Sequence, residues 1–302
     1  MNLNADPIAA LLEAPKAGVL AVISGVEGPS YRPIGAMMAI LSDDVRVGSL
    51  SSGCIESDLA LQAQKTLQTG HAETVVYGLG SPYMDIKLPC GGGLEILLVP
   101  DPDKKTLQDM CDLRQQRLPF ILHINRASGA LDISECAETK NQRGIFDIQI
   151  IPEINFYIFG KGPEASTFAG LVQSAGYQNT VFSPDTETLH IAGLLGSPTV
   201  HLKTPGFPNS EHPDRWSAVV LFFHDHEWEP PILQGALATD AFYVGAQGSL
   251  KAREKRLLEL KNLGVPDTGI ARIKGPIGLV PSAKDARTLA VSVLAEILSL
   301  PR

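Results

Sequence analysis

After Pro152 the sequence alternates short apolar runs with helical stretches of about ten residues or more, and this alternation constrains the fold more than any other feature of the chain. INFYIFG, NTVFSP, PTVHL, AVVLFFH and AFYVGA read as strands, and EASTFAGLVQSAG, EPPILQGALAT, LKAREKRLLELKNLG and DARTLAVSVLAEILSL as helices. A helix between two strands carries the chain back across the sheet, so successive strands run parallel with right-handed crossovers. The expected fold class is α/β, with a carboxy-terminal Rossmann-like, doubly wound parallel sheet over residues 154–302.

Residues 1–153 have a different texture and predict an amino-terminal mixed α+β domain. GVLAVISG, AMMAIL, VRVGSL and LEILLV are strand-like and mostly bounded by turn residues, while SDLALQAQKTLQTG opens on helix-start residues near Ser57 and stops at Gly70. A helix in DPDKKTLQDMCDLRQQRLP and strands in FILHIN, ALDISE and FDIQII continue this domain. A chain of 302 residues with 44% hydrophobic content has enough apolar surface for two cores.

Charge and cysteine usage narrow the function. With 25 Lys and Arg against 33 Asp and Glu, net charge -8, the chain offers no footprint for nucleic acid or anionic membrane. GVLAVISGV from Gly18 is too short to span a bilayer and has no basic segment before it, so neither a signal peptide nor a transmembrane helix is expected. Cys54, Cys90, Cys111 and Cys136 form no C-x-x-C pair, which predicts a cytoplasmic, reducing setting. Serine-hydrolase, P-loop and zinc-protease signatures do not occur.

Three segments of the second domain carry candidate chemistry. FGKGPEA fits G-x-G-x-x-A through Gly160, Gly162 and Ala165, between a strand and a helix; it predicts either a phosphate-binding turn for a nucleotide or pterin phosphate, or close packing alone. Asp185 follows Gly160 by 25 positions, at the end of the next strand, where such folds hydrogen-bond a ribose; Pro163 removes one N–H from the turn. His224, Asp225 and His226 follow AVVLFF and predict a ligand contact, a loop cap or a metal ligand at the carboxyl end of that strand. KGPIGL, from Lys274, is either an anion site or an ordinary turn, and the basic cluster Lys251 to Arg256 reads as a solvated helix face.

In the first domain two thiols stand beside glycine. Cys54 follows Gly53 just ahead of a helix, whose amino terminus favours a thiolate while Glu56 opposes it. Cys90 precedes Gly91, Gly92 and Gly93, whose N–H groups could line an anion-binding hollow beside a soft sulfur ligand. Both are also readable as small buried apolar residues, and Cys111 and Cys136 as ordinary core or surface residues.

Taken in order, GPSYRPIGAMMAI, VGSLSSGCIESDLA, LPCGGGLEILLVP, FGKGPEA, FFHDHE, YVGAQGSLKAREKRLLELKNLGV and GPIGL resemble the xanthine dehydrogenase accessory protein family of the XdhC and CoxI type. The resemblance implies a chaperone that binds molybdenum cofactor (molybdopterin), protects it during sulfuration and delivers it to an apo-molybdenum hydroxylase of the xanthine dehydrogenase type. It implies a cysteine desulfurase as second partner, Cys54 and Cys90 as molybdenum-side contacts, and Arg32 with the neighbouring glycines near the organic part. A homodimer and a nucleotide at the Rossmann-like domain fit the same picture. The chain departs from the family at Ser52, where a glycine is usual. Competing expectations are an NAD(P)-dependent oxidoreductase, resting on Gly160 and Asp185, and a transferase carrying persulfide on Cys54 or Cys90.

Overall fold

The computed structural model describes residues 6–42, 45–51, 53–81, 88, 91–135, 143–223 and 227–301. The chain divides into two compact units, Met1–Pro152 and Glu153–Arg302.

The first unit runs α1 (Pro7–Glu13), β1 (Gly18–Glu27), β2 (Met37–Leu41), β3 (Arg46–Gly48), α2 (Glu56–Thr69), β4 (Glu73–Gly78), β5 (Gly93–Pro100), α3 (Lys104–Gln115), β6 (Phe120–Asn125), β7 (Leu131–Ser134) and β8 (Ile145–Ile150). β3-β2-β1-β5-β4 form an antiparallel sheet and β7-β6-β8 a smaller one. β1 reads as a continuous apolar run because both its faces are covered. Val19, Ala21 and Ile23 meet Leu59, Ala60 and Ala63 of α2, whereas Leu20 and Val22 meet α1, α3 and the inner face of the smaller sheet, including Phe120, Leu122 and Ile148. That second layer binds residues 101–150 into the same core as β1.

α2 ends where Gly70 enters the left-handed region at φ 70, its N–H closing on the Thr66 carbonyl. α1 is only seven residues long and depends on its surroundings. Asp6 caps its start and pairs with Arg114, and the Lys104 ammonium donates to the Leu11, Leu12 and Ala14 carbonyls at its end, where the helix dipole favours a cation.

The second unit runs β9 (Asn155–Gly160), α4 (Pro163–Ser174), β10 (Gln178–Ser183), α5 (Thr186–Leu194), β11 (Thr199–His201), β12 (Ser217–Phe222), α6 (Glu229–Leu237), β13 (Tyr243–Ala246), α7 (Leu250–Asn262), α8 (Asp267–Ile270), β14 (Ile273–Lys274) and α9 (Ala286–Ser299). Its sheet is parallel throughout, ordered β11-β10-β9-β12-β13-β14. The order reverses between β9 and β12, as in dinucleotide-binding sheets. Strand period sorts the side chains: Phe156, Ile158, Val220 and Phe222 pack with α4 and α9, while Tyr157, Phe159, Val219 and Leu221 pack with α6 and α7. Helices on both faces make the sheet doubly wound, as the alternation of the sequence predicts.

Gly160 closes β9 directly against β12. A Cβ there would stand 2.6 Å from the Phe222 carbonyl oxygen. Gly160→Ala should therefore cost about 2 kcal/mol, a fall in melting temperature of roughly 4–8 °C for a domain of this size. Gly193→Ala on α5, where a Cβ meets nothing within 4 Å, should leave stability unchanged or raise it. Thermal unfolding of the two variants against the parent checks both; an unshifted Gly160→Ala would show that β9 and β12 have room to part.

Candidate functional site

Strand register gathers the candidate residues of the first unit at one edge of the five-stranded sheet. Glu27 of β1 faces Gly93 of β5, Gly78 of β4 faces the same Gly93, and Gly48 of β3 faces Met38 at the start of β2. The segments after β1, after β3 and between β4 and β5 therefore all emerge on that edge. They carry Arg32, then Gly53 and Cys54, then Gly91, all exposed. Cys90 lies outside the described residues.

The glycines there divide into two kinds. Gly53 (φ 105) and Gly91 (φ 73) occupy the left-handed region, and nothing lies within 4 Å of the place a Cβ would take, so they leave open space at the edge. Gly92 and Gly93 are spent on chain crossings: a Cβ at Gly92 would stand 2.1 Å from the Pro29 carbonyl oxygen, and one at Gly93 2.5 Å from that of Leu79. The Gly91 N–H closes a turn on the Leu88 carbonyl at 2.9 Å. These contacts stiffen the loop beside Arg32 and account for two of the three glycines by packing rather than by a row of inward N–H groups. Arg32 itself sits in a tight turn, its N–H on the Ser30 hydroxyl and the Ser30 hydroxyl on the Arg32 carbonyl.

Glu56, the first residue of α2, does something the sequence pattern did not disclose. Its side chain turns inward beneath the Cys54 loop and collects that loop's own donors. Oε1 accepts from the Ser49 hydroxyl (3.0 Å), Leu50 N–H (3.2 Å) and Ser51 N–H (2.9 Å), and Oε2 from the Ser51 hydroxyl (2.7 Å) and Ile55 N–H (3.2 Å). The Ser51 hydroxyl in turn accepts from the Cys54 and Ile55 N–H groups. Burial pushes the Glu56 carboxyl up, but these hydrogen bonds, led by the Ser51 hydroxyl and N–H, outweigh it and hold the group at about 2. The loop is thus wound around an anion of its own, leaving the Cys54 side chain exposed at the surface. The serine-rich SLSSG ahead of a glutamate was the available signal.

In the second unit the glycine turn lies at the carboxyl end of β9, beside the end of β12, at the reversal of strand order. Two of its amides are engaged within the unit. The Lys161 N–H donates to the Phe222 carbonyl, and the Gly162 N–H donates to the Thr188 hydroxyl at 2.8 Å. Pro163 has no N–H to give. Asp185, expected on a ribose, caps α5 instead: Oδ2 accepts the Thr188 hydroxyl and N–H, which hold its carboxyl below the usual range. Gly162 and Asp185 thus meet through Thr188, which ties the turn to the start of α5, and Gly160 packs the turn against β12. His224, Asp225 and His226 lie outside the described residues.

Two other sequence expectations are corrected. In the GPIGL turn the Gly278 N–H donates to Glu296 and the Leu279 N–H to the Ser292 carbonyl, and the next N–H, of Val280, donates to the Ser292 hydroxyl, so these three are spent on α9. In the supposedly solvated basic cluster, Arg256 is 1% exposed, because α7 turns that position toward the sheet. Among the described residues no group of three or more His, Cys, Asp and Glu side chains could hold a metal ion. Also among them, no helix is long and apolar enough to cross a membrane.

Comparison with known proteins agrees with this organisation. The profile of the XdhC Rossmann domain matches residues 156–297, and that of the XdhC and CoxI family matches residues 11–78. The molybdenum cofactor insertion chaperone PaoD of Escherichia coli (strain K12) is 32% identical over 291 residues, covering 94% of this chain and 84% of that protein. A probable xanthine dehydrogenase subunit of Bacillus subtilis (strain 168) is 24% identical over 326 residues, covering 96% and 94%. A crystal structure described as a xanthine dehydrogenase from Bacillus halodurans superimposes with a TM-score of 0.78 at 23% identity, covering 96% of this chain and 93% of that one. At that identity the last match speaks for the fold.

The inward carboxylate sets a pH signature. A group held at about 2 contributes stability that is complete above the ordinary carboxylate value of 4.5 and is lost as pH falls toward 2. Glu56→Gln should cost about 2–3 kcal/mol at pH 7, since several buried donors lose a charged acceptor, and this gap should narrow between pH 4.5 and 2. Urea unfolding of both proteins across that range tests it; a gap independent of pH would mean that the carboxylate charge does not hold the loop.

Proposed function

The chain belongs to the XdhC and CoxI family, and on that footing we propose that it binds molybdenum cofactor, protects it during sulfuration and delivers it to an apo-molybdenum hydroxylase of the xanthine dehydrogenase type. The observation that carries this reading is likeness to an insertion chaperone along 94% of the chain, through both units. The cofactor is cargo here, to be held and then released, so the binding surface has to be accessible.

The exposed edge of the first unit suits that task chemically. A thiol at Cys54 offers a soft ligand to molybdenum, and the Arg32 guanidinium offers charge-assisted hydrogen bonds to the phosphate of the pterin. The empty positions beside Gly53 and Gly91 admit a flat organic group without colliding with a Cβ. Cys90 is proposed as the second thiol contact, since it adjoins Gly91 in sequence. Glu56 keeps the Cys54 loop in place and takes no part in binding. In the second unit the carboxyl edge of the sheet is proposed to take a nucleotide, with contacts from the turn at Gly160 and Gly162, from Asp185 and from the loops after β12 and β13; the Lys161 and Gly162 amides are engaged within the unit, which leaves the first turn of α4 for the phosphate. His224 and Asp225 are proposed contacts on the first of these loops. A cysteine desulfurase is the proposed sulfur donor, and a homodimer the proposed assembly.

Retention of molybdenum and pterin after desalting, using cofactor released from a molybdoenzyme, tests this reading. The parent protein should retain both, and Cys54→Ala and Cys90→Ala should each reduce retention at least tenfold with an unchanged melting temperature. A parent protein that retains neither, and instead turns over small carbonyl compounds with NAD(P)H, would replace the chaperone with the oxidoreductase.

A further inference from the structure

Arg256 is the largest fully buried side chain among the described residues, at 1% exposure, and its guanidinium runs back along α7 to the carboxyl edge of the parallel sheet. There Nη2 lies 2.8 Å from Oε1 of Glu229, in the first turn of α6, and donates to the Gln247 carbonyl, just after β13, at 2.6 Å. Glu229 is itself buried. Two glycines make room for the group: a Cβ at Gly248 would stand 3.2 Å from Nη2, and one at Gly275, just after β14, 3.4 Å from Nη1. One cation therefore links the first turn of α6 to the segment that follows β13.

Stability does not explain this arrangement. A buried ion pair often stabilises no more than well-packed apolar residues of the same volume, and Arg256 Nε and Nη1 find no hydrogen-bond partner among the described residues, at the cost that such buried donors carry. A Met and Leu pair would fill the same space with no such cost. What the guanidinium supplies, and apolar residues cannot, is a directional tie between the start of α6 and the segment after β13.

We propose that Arg256, with Glu229, is a positioning residue that fixes the start of α6 and the segment after β13 at the carboxyl edge and thereby sets the affinity of this unit for a phosphate-bearing ligand. The proposal rests on the reading above that this edge takes a nucleotide. With the amides at Lys161 and Gly162 committed, the glycine turn has fewer donors to give, and the placement of the neighbouring segments bears on how well a phosphate is held.

The experiment uses the full chain and the double variant Arg256→Met/Glu229→Leu, with Arg256→Lys as a second variant in case the first does not fold. Binding of the four ribonucleoside diphosphates and of inorganic pyrophosphate is measured by calorimetry, beside melting temperature and amide hydrogen exchange. The double variant should keep its melting temperature within a few degrees and lose at least tenfold in affinity. Its Gln247 amide, which donates to the Leu221 carbonyl at 2.9 Å, should exchange at least tenfold faster, while the amide of Val244 within β13 keeps its protection. Arg256→Lys, keeping the charge without the fork, should fall between the two. Parental affinity in a folded double variant, or in Arg256→Lys if that alone folds, would overturn the proposal. If the parent protein binds none of the probes, the nucleotide reading fails instead, and exchange decides the positioning role: unchanged Gln247 protection would end it.

Discussion

The second unit depends on one constraint, the burial of β9 and β12 on both faces. Side chains of each strand alternate between two helical layers, so neither strand can slip by a residue without exchanging its whole set of contacts. That fixed register places Gly160 against Phe222, and with it the glycine turn and the end of β12 side by side. The edge at which a ligand would meet this sheet is therefore a by-product of core packing. Its loops are then tied by polar contacts that packing alone does not supply: Thr188 to Gly162 on one side, and Arg256 to Glu229 and Gln247 on the other.

The first unit solves a similar problem with different means. Its exposed loops must stay ordered without a core of their own, and each is fastened by a local device. The Cys54 loop winds around the Glu56 carboxylate, the Gly91 loop is pinned where Gly92 and Gly93 pass other backbone, and the Arg32 loop is turned by Ser30. Such devices leave the thiol and the guanidinium exposed while the backbone beneath them is held, which suits the binding role proposed for this edge.

Much of this was legible in the sequence. Strands buried on both faces are near-continuous apolar runs, and long amphipathic helices announce themselves by period, so INFYIFG, AVVLFFH and DARTLAVSVLAEILSL were found directly. Elements defined mainly by neighbours were not. α1 is too short to show a period and leans on Lys104 and Arg114, β4 in HAETVVYG takes its place by pairing with β5, and α5 has an apolar composition with little directional bias. Likewise the grouping of Arg32, Gly53, Cys54 and Gly91 on one edge was implied by family resemblance, and only the register of β1, β3, β4 and β5 places them there.

By itself, the sequence determined the fold class, the main strands and helices, and the positions where backbone must pass without a Cβ, because periodicity and glycine preference are local properties of the chain. Tertiary structure alone decided what each polar group is spent on. Glu56, read as a charge opposing a thiolate, is a buried acceptor for the loop ahead of it; Asp185 caps α5; Arg256 looked solvated and is buried between the start of α6 and the segment after β13. The physical reason is that a hydrogen bond or ion pair is set by where donor and acceptor meet in space, and partners such as Arg256 and Glu229 are brought together only after the sheet has formed.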